Sequence, residues 1–459
     1  MKEAQPRPGV WSSLRTGLLG LNVQAWIRRQ PYLQRAYRLF PQAMRSRLAA
    51  ALAARSIAQT RFQRTQAWDA TQSRAARWHA RPDRRPAPQA PGVNILGYIR
   101  GEFGLAESAR MYARALIDAG VPVALYDIDL GMPHGWGDHS MDDYIDESLP
   151  HAVSIVFVNP DYLEPALEYV GQARMKGRYV IACWFWELEK IPDSWQGAIH
   201  LVDEIMVASA FIEDAFRRIT DKPIVRVPMP LSEVYDSGLQ RGDFGLEPDK
   251  FVFLCSFDFH SFIARKNPQA AVRAFRAAFP PGRDDVRLLV KSSNGQQHPD
   301  SMRDLLNLIA GDPRILVRDE VIDRAHVQAL QRCCDAYVSL HRAEGFGLGL
   351  AECMALGKPV VATGWSGNME FMGPETACLV DYELVPVVAG DYPESSGARW
   401  AEADVADAAA AMRRLADDPV RARALGAAAK AHVCSHLSPE RAAQRLLQRL
   451  AELDARATN

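Results

Sequence analysis

From Gly92 onward, short apolar runs alternate with longer stretches in which apolar residues recur every three or four positions. The runs fall at residues 93–99, 121–128, 154–159, 179–184, 204–209 and 224–229, then at 251–257, 286–292, 314–321, 336–340, 360–363 and 378–381. Their length and β-branched content read as strands, and the 3.6-residue periodicity between them, as at 106–119 and 268–278, reads as helix. Strands alternating with helices require parallel sheets, because parallel neighbours need a crossover connection. Six strands in each half predict two Rossmann-like domains, with the boundary in the Pro- and Gly-rich stretch from Pro228 to Pro248. Helical patterns at 405–415, 419–435 and 438–457 predict a tail of helices.

The first sixty residues follow a different pattern. Leu33, Tyr37, Phe40, Met44, Leu48 and Leu52 form one helical stripe, with Arg35, Arg38, Arg45, Arg47 and Arg55 mostly off it and Pro41 splitting or starting a helix. Trp11, Leu14, Leu18, Leu21 and Trp26 make a looser apolar surface before it. Residues 1–60 are therefore expected to be a basic amphipathic extension, and 61–91, closing on Pro86, Pro88 and Pro91, an extended linker.

Charge sharpens that division. The formal net charge of -1 hides 17 Lys and Arg against 3 Asp and Glu in residues 1–90, so the remainder is acidic. A basic helix with aromatics on its other face suits an anionic bilayer surface. It equally suits the acidic face of the globule, and both partners stay open. Nucleic acid is disfavoured, since the body is acidic and no recognition motif follows. The 459 residues, 48% apolar, suffice for two domains with large cores. Seven cysteines without a Cys-x-x-Cys pair predict reduced thiols in a cytoplasmic protein and no zinc site. The start lacks the features of a signal peptide, and no run of 18 apolar residues suggests a membrane span.

Candidate chemistry concentrates at predicted strand ends, where ligands bind in open α/β sheets. The densest stretch is Glu344-Gly345-Phe346-Gly347-Leu348-Gly349, followed by Glu352, with seven residues between the two acids. Its glycines allow close backbone approach, and the helix they open offers unpaired N–H groups suited to phosphate. Arg265 and Lys266 follow the first strand of the second domain and can neutralise a diphosphate. Glu187, within Trp184-Phe185-Trp186-Glu187-Leu188-Glu189, joins carboxylates to aromatic faces as carbohydrate surfaces do. Gly101 and Gly104 form a turn after the first strand without the dinucleotide spacing, which fits either phosphate contact or a plain tight turn. Lys291 ends another strand, and Ser366 and Gly367 offer further backbone amides. Asp127-Ile128-Asp129 is read as incidental, not as a metal site.

Residues 92–435 resemble the family 4 retaining glycosyltransferases of GT-B fold, particularly bacterial enzymes of O-antigen, capsule and exopolysaccharide assembly. The resemblance is carried by Glu344 to Thr363, including Met354-Ala355-Leu356-Gly357-Lys358-Pro359. It implies an α/β architecture of two Rossmann-like domains facing across a cleft: an acceptor domain at 92–235, a nucleotide-sugar donor domain at 236–435, and a helix at 436–459 crossing back. It also implies that Glu344 binds the transferred sugar, Glu352 the ribose, and Arg265 and Lys266 the diphosphate, with no cofactor or metal. Many members place a His near the reacting carbon, where this chain has Glu187 and Glu189. A GDP-mannose-type donor and a glycan or polyprenyl-linked acceptor, met at the inner face of the cell membrane, are expected by analogy. The alternatives are a nucleotide-sugar 2-epimerase or hydrolase of the same fold, and a non-catalytic anchoring subunit.

Overall fold

The computed structural model describes residues 58–72, 92–132, 135–231 and 237–457, with positions 26, 30, 32 and 44. Most of the basic extension and of the expected linker lies outside the described residues. The part of the linker inside them, 61–72, is not an extended tether. Helix α1 (Gln66–Gln72) forms there, and the segment is docked on the second half of the chain. The physical reason is two large apolar side chains among the arginines. The Phe62 and Trp68 rings lie 5.3 Å apart, and Trp68 stands 5.3 Å from Phe244 and 4.3 Å from His326. Polar contacts fix the register: the Phe62 N–H donates to Glu320 at 3.1 Å, and the Thr65 hydroxyl to Asp243 at 2.6 Å.

All twelve expected strands are present, in two six-stranded sheets whose recorded pairings are all parallel. The first sheet comprises β1 (Val93–Gly97), β2 (Val123–Asp127), β3 (Val153–Phe157), β4 (Tyr179–Cys183), β5 (Glu204–Val207) and β6 (Ile224–Arg226), in the order β2-β1-β3-β4-β5-β6. The second comprises β7 (Phe251–Asp258), β8 (Val286–Ser293), β9 (Ile315–Asp319), β10 (Ala336–Ser339), β11 (Val360–Thr363) and β12 (Cys378–Val380), in the order β12-β11-β10-β7-β8-β9. Helices bury both faces, so most strands are apolar throughout instead of alternating.

The helices that matter for the site are α2 (Gly104–Asp118), α3 (Ala210–Arg217), α4 (Pro268–Ala278), α5 (Arg324–Cys333) and α6 (Leu348–Ala355). Ser209 caps α3 by accepting from the Ile212 N–H, and Pro268, at the first position of α4, needs no partner for the N–H it lacks. A tail of α7 (Val405–Asp417), α8 (Pro419–His436) and α9 (Pro439–Ala457) follows. Helix α9 returns to the first sheet's domain and packs on α2. There Arg449 meets the fully buried Glu204 at 2.7 Å, and Arg445 donates to the Arg226 carbonyl at 2.9 Å. The Leu231 N–H donates to the Leu437 carbonyl at 2.8 Å, so the two crossings between domains lie side by side.

One element was not expected. Between β12 and α7 an antiparallel hairpin forms from β13 (Tyr382–Pro386) and β14 (Arg399–Ala403). Its strands carry several charges and Pro386, which weakens their apolar pattern. All seven cysteines are free, with Cys434 exposed. Among the described residues no helix is long and apolar enough to cross a membrane.

Candidate active site

Glu344 sits on the loop from β10 into α6, and its main chain is braced from three sides. His341, fully buried, lies with its ring nitrogens 3.0 Å from the Ser339 hydroxyl and 3.0 Å from the Asn368 side-chain oxygen. The Thr363 hydroxyl donates to the His341 carbonyl at 2.7 Å. The Glu344 N–H donates to the Ser366 hydroxyl at 2.9 Å, and the Gly367 N–H to the Glu344 carbonyl at 2.8 Å. Gly347, at φ 94°, then turns the chain into α6 through the left-handed region that glycine favours.

The loop is also pressed against the first domain. A Cβ on Gly345 would lie 2.7 Å from the Trp186 carbonyl oxygen, and the Ser209 hydroxyl donates to the Gly345 carbonyl at 2.7 Å. The Ala210 N–H donates to Glu370 at 2.9 Å across the same contact. Gly345→Ala would push a methyl into that seam, at a cost of about 1–3 kcal/mol for overpacking. We expect turnover to fall roughly tenfold and the melting temperature to drop by a few degrees, checked by steady-state kinetics beside a thermal melt.

Arg265 and Lys266 end a short helical turn after β7, which Asn267 closes in a left-handed conformation at φ 47°. Lys266 Nζ donates to Glu344 Oε1 at 2.5 Å, and Arg265 Nη1 lies 3.2 Å from Glu344 Oε2 while donating to the Ala343 carbonyl at 2.9 Å. Arg265 Nη2 reaches Glu187 Oε1 at 3.3 Å, across the cleft on the β4 side. The other Glu187 oxygen accepts from the Tyr392 hydroxyl. The result is a chain of alternating charge, Lys266–Glu344–Arg265–Glu187, in which Arg265 is 4% exposed and Glu187 is 25% exposed. Burial alone would raise the Glu344 carboxyl, but Lys266 and Arg265 pull it down to about 2. Burial pushes Lys266 below its ordinary value against the pull of Glu344.

Glu352, in the second turn of α6, lies 2.8 Å from Arg324 and accepts from Gln331 at 3.0 Å. Arg324 opens α5 and also reaches Glu107 on α2, at 3.5 Å, so this carboxylate too stands where the domains meet. Tyr337 donates its hydroxyl to the Ser256 carbonyl at 3.2 Å, and burial pushes its pKa well above the ordinary phenol value. Both acids therefore stand in ion-pair groups that cross between the domains.

The other expected site residues have surroundings of their own. The Phe346 ring packs on Phe371 at 5.0 Å and is core, because an aromatic beside two glycines fills the space they leave. The Gly367 N–H is taken by the Glu344 carbonyl, while the Ser366 hydroxyl accepts from the Glu344 N–H and lies 3.4 Å from the Asn368 side-chain oxygen, so both brace that residue. Lys291, itself buried, donates to Ser293 at 2.7 Å, and burial pushes it down to about 8 against the pull of Asp258 and Asp319. Gly101 gives its carbonyl to Arg110, which also holds the Ile99 carbonyl, while space around Gly104 is open. Asp127 accepts from the Arg100 N–H and pairs with that side chain. Glu189 faces Arg399 and does not join the charge chain.

Sequence reasoning missed Tyr392, Arg324 and Ser209. Tyr392 rides on the unexpected hairpin, and Arg324 looks like an ordinary basic residue in a helix. Only Ser209, placed to cap a helix directly after a strand, left a local signal.

Residues 262–446, which include every member of the charge chain except Glu187, match the profile of a family described as Family 4 Glycosyltransferase in conflict systems. Among solved structures, Anabaena Alr3699/HepE in complex with UDP-glucose is similar at a TM-score of 0.57 and 16% identity, over 79% of this chain and 99% of that chain. Sucrose-phosphate synthase from Thermosynechococcus elongatus is similar at a TM-score of 0.56 and 17% identity, over 80% of this chain and 99% of that chain. A search of curated proteins gave no match. The two facing sheets with their crossing-back helix are the GT-B fold.

Proposed function

We propose that this chain is a retaining glycosyltransferase that moves a sugar from a nucleoside-diphosphate donor to a glycan acceptor without a metal ion. The observation that carries the reading is the pairing of Glu344 with both Arg265 and Lys266, in a crevice closed by Glu187 from the other domain. A diphosphate entering there exchanges places with the carboxylate on the two cations. Glu344, released from them, accepts hydrogen bonds from the sugar hydroxyls, and Glu352 does the same for the ribose. As the bond from the anomeric carbon to the diphosphate oxygen breaks, negative charge grows where Arg265, Lys266 and the first turn of α6 face it. The acceptor hydroxyl bonds to the anomeric carbon on the same face, and its proton passes to the departing diphosphate. Glu187 is the acid we place nearest the reacting carbon.

Sequence analogy favours GDP-mannose-type donors, and the UDP-glucose complex of a fold neighbour adds UDP-sugars to the first panel. A lipid-linked acceptor in cell-surface polysaccharide assembly, reached at a membrane through residues 1–60, completes the proposal. The test is a nucleotide-sugar panel read by thermal shift and by product formation with and without EDTA, on wild type and Lys266→Ala. We expect one donor class to raise the melting temperature and Lys266→Ala to lower turnover by about 10²–10³. Full activity of Lys266→Ala sinks the assignment. Complete donor consumption without acceptor marks an epimerase or hydrolase instead, and the absence of any nucleotide binding marks a non-catalytic subunit.

A further inference from the structure

The loop joining β13 to β14 crosses from the donor domain onto the acceptor domain. Its base is closed by the Val387 N–H donating to the Ala398 carbonyl at 3.0 Å. The loop and the first residue of β14 touch the segment following β4 at four places. Lys190 Nζ donates to the Ser396 carbonyl at 3.0 Å, the Ser194 hydroxyl donates to Glu394 at 2.7 Å, and Arg399 stands 3.5 Å from Glu189. The fourth contact is Tyr392, buried between Trp186 of the acceptor domain at 5.3 Å and Phe262 of the donor domain at 5.1 Å. Its ring therefore spans the seam, and its hydroxyl points at Glu187.

That hydroxyl has a consequence for the charges. Glu187 and Glu344 compete for Arg265, whose Nη1 and Nη2 serve one carboxylate each. A Glu187 with no second donor would draw Arg265 toward itself and away from Glu344. Burial keeps the Tyr392 phenol protonated, its pKa well above the ordinary value, so it donates across the working pH range.

Resting on the transferase reading, we propose that Tyr392 is the positioning residue for Glu187. By holding one oxygen of that carboxylate it keeps Glu187 from drawing Arg265 to itself, so that Arg265 can turn from Glu344 to the diphosphate, and the arm that carries it makes closure of the cleft and placement of Glu187 one event. Tyr392 acts through its neighbours and forms no bond to the reacting atoms.

Tyr392→Phe removes the hydroxyl and keeps the ring between Trp186 and Phe262. Against wild type on the donor that the panel identifies, we expect kcat to fall at least roughly tenfold while donor KM stays within about twofold. The melting temperature should stay within about 2 °C. Glu187→Gln and the double variant complete a cycle, and the double variant should lose no more than Glu187→Gln alone, because Tyr392 acts only through that acid. If Tyr392→Phe turns over like wild type, or if the two losses multiply, the positioning role is wrong while the transferase reading stands. If wild type itself binds and turns over no donor, both fall. A second variant, replacing 388–397 by two glycines, tests the arm: it should lower kcat at least as much as Tyr392→Phe, and unchanged turnover overturns its part in closure.

Discussion

Glu344→Gln is expected to lower transfer by at least about 10²–10³, read as single-turnover product formation at saturating donor. The substitution keeps shape and one acceptor but removes the charge that two cations share, with Arg265 buried beside it. It also gives a stability signature. The folded-state value of Glu344, about 2, lies below its ordinary 4.5, so its stabilisation is complete above pH 4.5 and is lost as pH falls toward 2. The variant lacks this contribution at every pH. The gap in unfolding free energy between wild type and Glu344→Gln should therefore be widest near neutrality and close on acidification. A gap that holds constant down to pH 2 would show that the carboxylate is not held ionised by its neighbours.

Trp68→Ala should be among the most destabilising single changes in the chain, although it lies before the first strand. Deleting a fully buried indole costs about 3–5 kcal/mol, because the surroundings collapse only partly into the space. The effect should reach the site as well. Trp68 packs on His326, whose ring pairs with Asp323 at 2.5 Å, and Asp323 caps α5 immediately before Arg324. Urea unfolding should show a lower midpoint, and donor KM should rise severalfold as Arg324 loosens from Glu352. A chain trimmed to begin at residue 92 should show both effects, since it lacks Phe62 and Trp68 together. Wild-type stability in either protein would mean that the segment rests on the surface without bracing it.

How much of this was legible in the residues depends on the range over which each feature is encoded. The twelve strands were visible because each is a local apolar run, and parallel pairing follows from the helices between them. Glu344, Arg265 and Lys266 were found from spacing at strand ends, and the fold brings them into direct contact. Glu187 was legible as a strand-end acid, but its partner Tyr392 lies 205 positions away on a hairpin whose pattern is diluted by charge. The docking of 61–72 was hidden for a related reason. Composition reads Arg and Pro as solvent-loving, while two aromatic residues among them settle where the segment goes. Phe346 shows the converse, a motif residue whose side chain serves packing alone.

The paired crossings at Leu231 and Leu437 constrain how this molecule can open. Two covalent connections, hydrogen-bonded to one another, act as a hinge pin: rotation about their common line bends few dihedrals, whereas sliding one half past the other would stretch both. The gape should therefore swing about a single axis. Atoms near the pin would hardly move, and those at the far rim would travel several times as far for the same turn.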